Sequence, residues 1–159
     1  MKKLNNGFSL VELIVVIAIM AILVGVLAPA YLKYVEKSRK SKDIDAVSEM
    51  MGAAEKVAVD NETVGDDEIF YIEKQGDELE LHFVGDPDVT DDWGKASGLP
   101  NNKYVLSSKT FKASTDGSKL TGLVNHDEGP VIWSGTGFFA KSGSGTLGDL
   151  SGEYAKRLS

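Results

Sequence analysis

The sequence predicts an α+β protein in which one long N-terminal helix carries an antiparallel β-sheet head on its C-terminal half. Three observations lead there. Twenty consecutive residues from Leu13 to Leu32 carry no charge, about the length an α-helix needs to cross a hydrocarbon core of ~30 Å. Beyond them, apolar residues recur every three or four positions as far as Ala58, the period of a helix. From Ile69 the period falls to two, the alternation of half-buried strands. A chain of 159 residues has room for one domain, and only part of this one can belong to a globular core.

The apolar run sets the first question. A secretory signal peptide would place a small-residue cleavage site after it. Pro29 and Ala30 stand near its end, but the run is long for a signal core, and helical sequence follows directly. A plain membrane anchor accounts for the length equally well. Neither accounts for Glu12, a carboxylate one residue ahead of the run, which costs ~2–3 kcal/mol if drawn to the bilayer centre. Such a group calls for a partner. If the chain is cut between Gly7 and Phe8, the new α-amino group lies four residues before Glu12. It also lies close to a neighbour's Glu12 if subunits stack along an axis. The positive end of the helix macrodipole favours the same carboxylate.

At these residues the sequence resembles a known family. Gly7-Phe8-Ser9-Leu10-Val11-Glu12, behind a short basic leader with Lys2 and Lys3, is similar to the processing motif of type IV pilins and pseudopilins. Pro29 also falls where members of that family usually carry a proline. The resemblance covers about a quarter of the chain and leaves the head unaddressed. It implies that a prepilin peptidase cleaves after Gly7 and that the amine of Phe8 is N-methylated. It implies as well that Phe8 and Glu12 pair between adjacent subunits during assembly. The leader is then cytoplasmic. Lys33, Lys37, Arg39, Lys40 and Lys42 follow the run, so counting cations alone would put the opposite side in the cytoplasm; the processing motif decides against the count.

Gly25 and Pro29 mark an expected bend, because proline removes a backbone hydrogen bond and clashes with the preceding turn. Family members can melt the helix near this proline in the assembled filament. Further on, Ile44, Val47, Met51, Ala54 and Ala58, flanked by Val57, form an apolar stripe. Lys40, Asp43, Asp45, Ser48, Glu49, Glu55 and Lys56 fall on the other faces. A half-buried helix of this kind needs a sheet to cover its stripe. From Phe8 to about Val59 it would run ~78 Å. The expected divisions are a leader at 1–7, a membrane and assembly helix at 8–32, its amphipathic continuation at 33–60, and a β-rich head at 61–159.

In the head, Ile69 to Ile72 and Leu79 to Phe83 flank Gln75-Gly76-Asp77, a hairpin signal. Tyr104 to Leu106, Leu120 to Val124 and Val131 to Trp133 read as further strands, giving a sheet of about four. Lys112 to Ser118 and Asn125 to Gly129 supply turns. The Gly- and Ser-rich stretch from Gly135 to Gly152 reads as irregular coil over the surface. This architecture agrees with the pilin fold that the N-terminus implies.

Little in the chain suggests chemistry. The net charge is −7, and loss of Met1 to Gly7 with its two lysines takes it to −9, a poor balance for binding nucleic acid or anionic lipid through general electrostatics. There is no cysteine, which excludes a disulfide scaffold and thiol chemistry. That lack departs from many Gram-negative pilins. His82 alternates with Leu81 and Phe83 and should face outward, while His126 sits in a turn; no nucleophile triad or zinc spacing accompanies either. Asp86, Asp88, Asp91 and Asp92 could offer oxygen ligands to calcium, and Asp92-Trp93-Gly94 resembles a stretch of the major pseudopilins of type II secretion. The EF-hand's central glycine and terminal glutamate are missing. We read the four as a solvated acidic loop and expect no metal, no cofactor and no enzymatic role.

The function the resemblance implies is a structural subunit of an extracellular type IV pilus, supporting adhesion, motility or aggregation. The alternatives are a pseudopilin of a secretion or DNA-uptake machine and a membrane-anchored binding domain that never polymerises. Expected partners are copies of itself in a helical homopolymer, other pilins, the prepilin peptidase, an inner-membrane assembly platform, and the cytoplasmic membrane for the precursor. No nucleic acid is expected. Lys33 to Lys42 holds five bases and one acid, and Asp60 to Asp92 thirteen acids and one base; opposed between copies, the two could set subunit register.

Overall fold

The computed structural model describes residues 8–60, 69–84, 98, 102–125, 129–141, 143 and 146–149. It opens on helix α1, Leu10–Asp60, and α1 runs through Gly25 and Pro29. The chain divides into one unit ending at Lys37 and another beginning at Ser38. In the first, the apolar residues from Leu10 to Leu32 all stand exposed, so among the described residues no tertiary packing opposes their transfer to an apolar medium.

The second unit is an antiparallel sheet on the rest of α1. Its strands are β1 (Ile69–Gln75), β2 (Glu78–Val84), β3 (Lys103–Val105), β4 (Lys119–Asn125) and β5 (Gly129–Gly135). They lie in the order β3-β2-β1-β4-β5, every neighbouring pair antiparallel. The expected α+β architecture is present, with five strands among the described residues where about four were expected. β1 and β2 turn through Gly76 and Asp77, with Gln75 opposite Glu78. Gly76 takes φ +58° and Asp77 does not go positive, the pattern of a type II′ hairpin, which favours glycine at its first central position.

Alternation places Phe70 and Ile72 of β1, Leu79 and Leu81 of β2, Leu120 of β4 and Trp133 of β5 on the covered face. They meet Ile44, Val47, Met50, Met51, Ala54 and Ala58 of α1 in one core. Full burial of each larger aliphatic or aromatic side chain contributes about 1.5–3 kcal/mol. All five residues of the expected stripe are buried; the side chain of Val57 lies outside the described residues. Gly122 sits opposite Trp133, and a Cβ there would come within 2.9 Å of the indole ring, so the tryptophan needs a glycine beside it.

Two expectations are corrected. The stretch after Gly135 is not only surface coil: a 3₁₀ turn at Gly137–Phe139 and another at Leu147–Asp149 bring Phe138, Phe139 and Leu147 into the core. Phe138 meets Phe111 edge-on, ring centres 5.0 Å apart. Phe111 belongs to a one-turn helix, α2 (Lys109–Lys112), inside a region read largely as connection. Ser108 caps it, its hydroxyl accepting from the Phe111 N–H at 3.2 Å.

Asp43 is the second correction. Read as a solvent-face residue, it is fully buried. Its carboxylate accepts from the Tyr104 hydroxyl at 2.9 Å and from the N–H groups of Ser107 and Ser108 at 2.8 Å each. These bonds tie α1 to β3 and to the segment between β3 and α2. Burial, reinforced by the neighbouring Asp43 carboxylate, pushes the Tyr104 phenol up to about 12 from its ordinary 10.0. The folded state therefore holds the Tyr104 proton more tightly than the unfolded chain does. That stabilisation is complete below pH 10 and is lost as pH rises through about 12. Tyr104→Phe should flatten the fall in stability between those values, read by denaturant titration at stepped alkaline pH; an unchanged slope would rule the linkage out.

A second buried polar group closes the hairpin. Lys74 shares the inward face with Phe70 and Ile72 and is fully buried. Its ammonium donates to the Gly76 carbonyl at 2.9 Å and to Asp116 at 2.7 Å. Asp116 also accepts from the Gly76 N–H at 3.0 Å, and the hydrogen bond from Lys74 holds its carboxyl below the usual carboxylate range.

Candidate functional site

The candidate site is the start of α1 and the apolar surface behind it. Ser9 stands just before the first helical residue. Its hydroxyl accepts from the Val11 N–H at 3.3 Å, and its carbonyl accepts from the Leu13 N–H at 3.2 Å. Glu12 reaches back, its carboxylate accepting from the Ser9 N–H at 2.9 Å. This is a capping box: a serine and a glutamate three residues on satisfy orphan donors at the helix start. The carboxylate that lacked a partner on paper has one within its own chain, one residue from the amine that cleavage would create. Ser9-x-x-Glu12 ahead of an apolar run is the sequence signature of this bond, a signal not used in the sequence-based expectations.

Behind the cap, Phe8 is 85% exposed, and Leu10 to Leu32 present apolar side chains all around the helix. Within the described residues this is the one helix long and apolar enough to cross a membrane, and none of its apolar window is buried. Around Gly25 there is open space, and Pro29 lies inside the helix. Gly7 lies outside the described residues.

The other candidates do not converge. Asp86, Asp88, Asp91, Asp92 and His126 lie outside the described residues. Among those described, no group of three or more His, Cys, Asp or Glu residues could hold a metal ion. His82 faces away from the core as expected, stacked on Tyr71 at 4.6 Å between ring centres. Lys119 sits over the same Tyr71 ring at 4.6 Å.

Comparison with known proteins bears on the same end of the chain. The prokaryotic N-terminal methylation motif matches residues 2–28. A type IV major fimbrial protein FimA of Dichelobacter nodosus is 35% identical over 66 residues, 42% of this chain and 42% of that protein. A second FimA of the same organism is 37% identical over 60 residues, 38% of each chain. Fimbrial protein EcpC of Eikenella corrodens is 40% identical over 53 residues, 33% of this chain and 35% of that one. The chain thus spans about two fifths of the length of the curated relatives it matches. No solved structure matches it. By its N-terminal segment, and by that segment alone, the chain is similar to type IV fimbrial proteins and carries the prokaryotic N-terminal methylation motif.

Proposed function

We propose that the chain is the precursor of a type IV pilus subunit, cleaved between Gly7 and Phe8 and N-methylated on Phe8. Its apolar helix holds it in the cytoplasmic membrane and then packs against copies of itself in an extracellular filament. One observation carries this reading: an uncovered apolar helix led by a capped carboxylate, in a segment that matches the N-terminal methylation motif. Once the leader is removed, the amine of Phe8 becomes a cation beside Glu12, and a neighbour's amine can take up the carboxylate's remaining acceptor capacity. The freedom around Gly25 and the missing hydrogen bond at Pro29 are where the helix would loosen on packing. The prepilin peptidase, the assembly platform and any part in adhesion or motility belong to the same reading.

Mass spectrometry of sheared surface filaments tests it directly. The expected result is an abundant chain beginning at methylated Phe8. Replacing Gly7 with a bulky residue should block cleavage and hold the full-length chain in the membrane; normal maturation of that variant would remove the peptidase from the scheme. A mature chain found in membranes but absent from filaments would favour the pseudopilin or the non-polymerising anchor.

A further inference from the structure

We propose that Tyr31, Lys33, Tyr34 and Lys37 form a collar that binds the phosphate layer of an anionic phospholipid leaflet and sets the depth of α1 in the membrane. The proposal rests on the reading of the chain as a membrane-inserted subunit and adds a lipid partner and a position to it. Tyr31 and Tyr34 lie three residues apart at the end of the apolar run, 66% and 72% exposed. Lys33 and Lys37 lie four apart and are exposed too. Residues at those spacings are neighbours on a helix surface. Tyrosine prefers the headgroup level, with its ring toward the acyl chains and its hydroxyl in water. Lysine stems lie along apolar surface while the ammonium reaches the phosphates, and an anionic leaflet attracts each such cation. The whole chain is acidic at −7, so this attraction is local. It also gives a use to cations that simple counting would keep on the cytoplasmic side.

The spacing gives the collar its consequence. Nineteen residues separate Glu12 from Tyr31, a rise of ~28 Å against a hydrocarbon core of ~30 Å. With the collar at one interface, Glu12 and its cap on Ser9 arrive at the other, in contact with water. Sliding the helix by two residues would draw the carboxylate ~3 Å into hydrocarbon. The collar holds the subunit where Glu12 meets the headgroups instead of the acyl chains.

The chain has no cysteine, so single nitroxide labels at Leu13→Cys, Val24→Cys and Leu32→Cys report depth cleanly. The full chain is placed in nanodiscs of phosphatidylcholine alone or mixed with phosphatidylglycerol, and depth is read by power-saturation EPR. In the mixed discs, Leu13 and Leu32 should both report an interface and Val24 the core. Combining Tyr31→Ala and Tyr34→Ala with Lys33→Glu and Lys37→Glu should move all three labels the same way by ~3 Å or more. Removing phosphatidylglycerol should move the unsubstituted chain part of that distance. Equal depths for both chains in mixed discs would overturn the collar, with Val24 still buried. A depth that depends on a second copy per disc and not on lipid charge would also overturn it and assign the lysines to a neighbouring subunit. A water-accessible Val24 in the unsubstituted chain would bring down the membrane reading itself.

Discussion

Glu12→Val should insert into the membrane normally and form almost no filaments. An anchor that never polymerises would gain from the change, because a charge leaves the membrane boundary. A filament subunit would lose the carboxylate that neutralises a neighbour's Phe8 amine in an apolar core. Leaving one member of such a pair uncompensated costs roughly 3–5 kcal/mol, on the order of a hundredfold or more in the association constant at each contact. The capping box supplies the control. Glu12 also accepts the Ser9 N–H, and glutamine can take that place in a capping box. Glu12→Gln therefore keeps the cap and removes the charge, whereas Glu12→Val removes both. Loss of the cap alone costs about 1 kcal/mol of helix stability, too little to abolish assembly. Both variants should fail alike when surface filaments are counted after membrane insertion is confirmed. Filaments with glutamine but not valine would make Glu12 a capping residue only, and wild-type yield with valine would refute the pairing outright.

Asp43→Ala should destabilise the head by about 3–5 kcal/mol, a large share of the 5–15 kcal/mol typical of a domain. Three donors lose their acceptor at once, two of them the backbone N–H groups of Ser107 and Ser108. A buried donor left unsatisfied costs roughly 1–3 kcal/mol. Asp43→Asn should be little better, since its amide keeps one acceptor oxygen and turns an NH₂ donor toward another donor. A chain beginning at Lys33 retains every core residue from Ile44 onward and is expected to be soluble, so urea titration can be run without detergent. The midpoint should fall sharply in both variants at an unchanged denaturant slope. A loss below about 1 kcal/mol from Asp43→Ala would mean that water replaces the carboxylate without penalty.

Local signals carried the sequence reading where they sufficed. The apolar run, the stripe through Ala58 and the hairpin at Gly76 each announce themselves within a dozen or so residues, and each is present. Lys74 lay beyond the strand as read, Ile69 to Ile72, and nothing nearby names Asp116, 42 residues away, as its partner. Asp43 was unreadable for the same reason: its acceptor role depends on donors 61 to 65 residues downstream. Phe138 and Phe139 were lost to the glycines around them. Composition signals coil there, and coil can still carry two rings into a core. At the functional end the opposite occurred. Ser9-x-x-Glu12 is a local signature, and the bond it encodes lies within three residues of the chain.

The burial of Phe138, Phe139 and Leu147 has a consequence in time. A ribosome delivers α1 first, with Val47, Met50, Met51 and Ala54 bare, and must add about 90 residues beyond Ala58 before Leu147 exists. At ~5–20 residues per second, that wait lasts roughly 5–20 s, far longer than the microseconds in which the β1–β2 hairpin can form. The nascent head is therefore a partly built sheet on a sticky helix until Phe138, Phe139 and Leu147 have been added. Closure of this core waits on its C-terminal residues, and a nascent chain stalled before Phe138 would hold its hydrophobic stripe open to whatever meets it first.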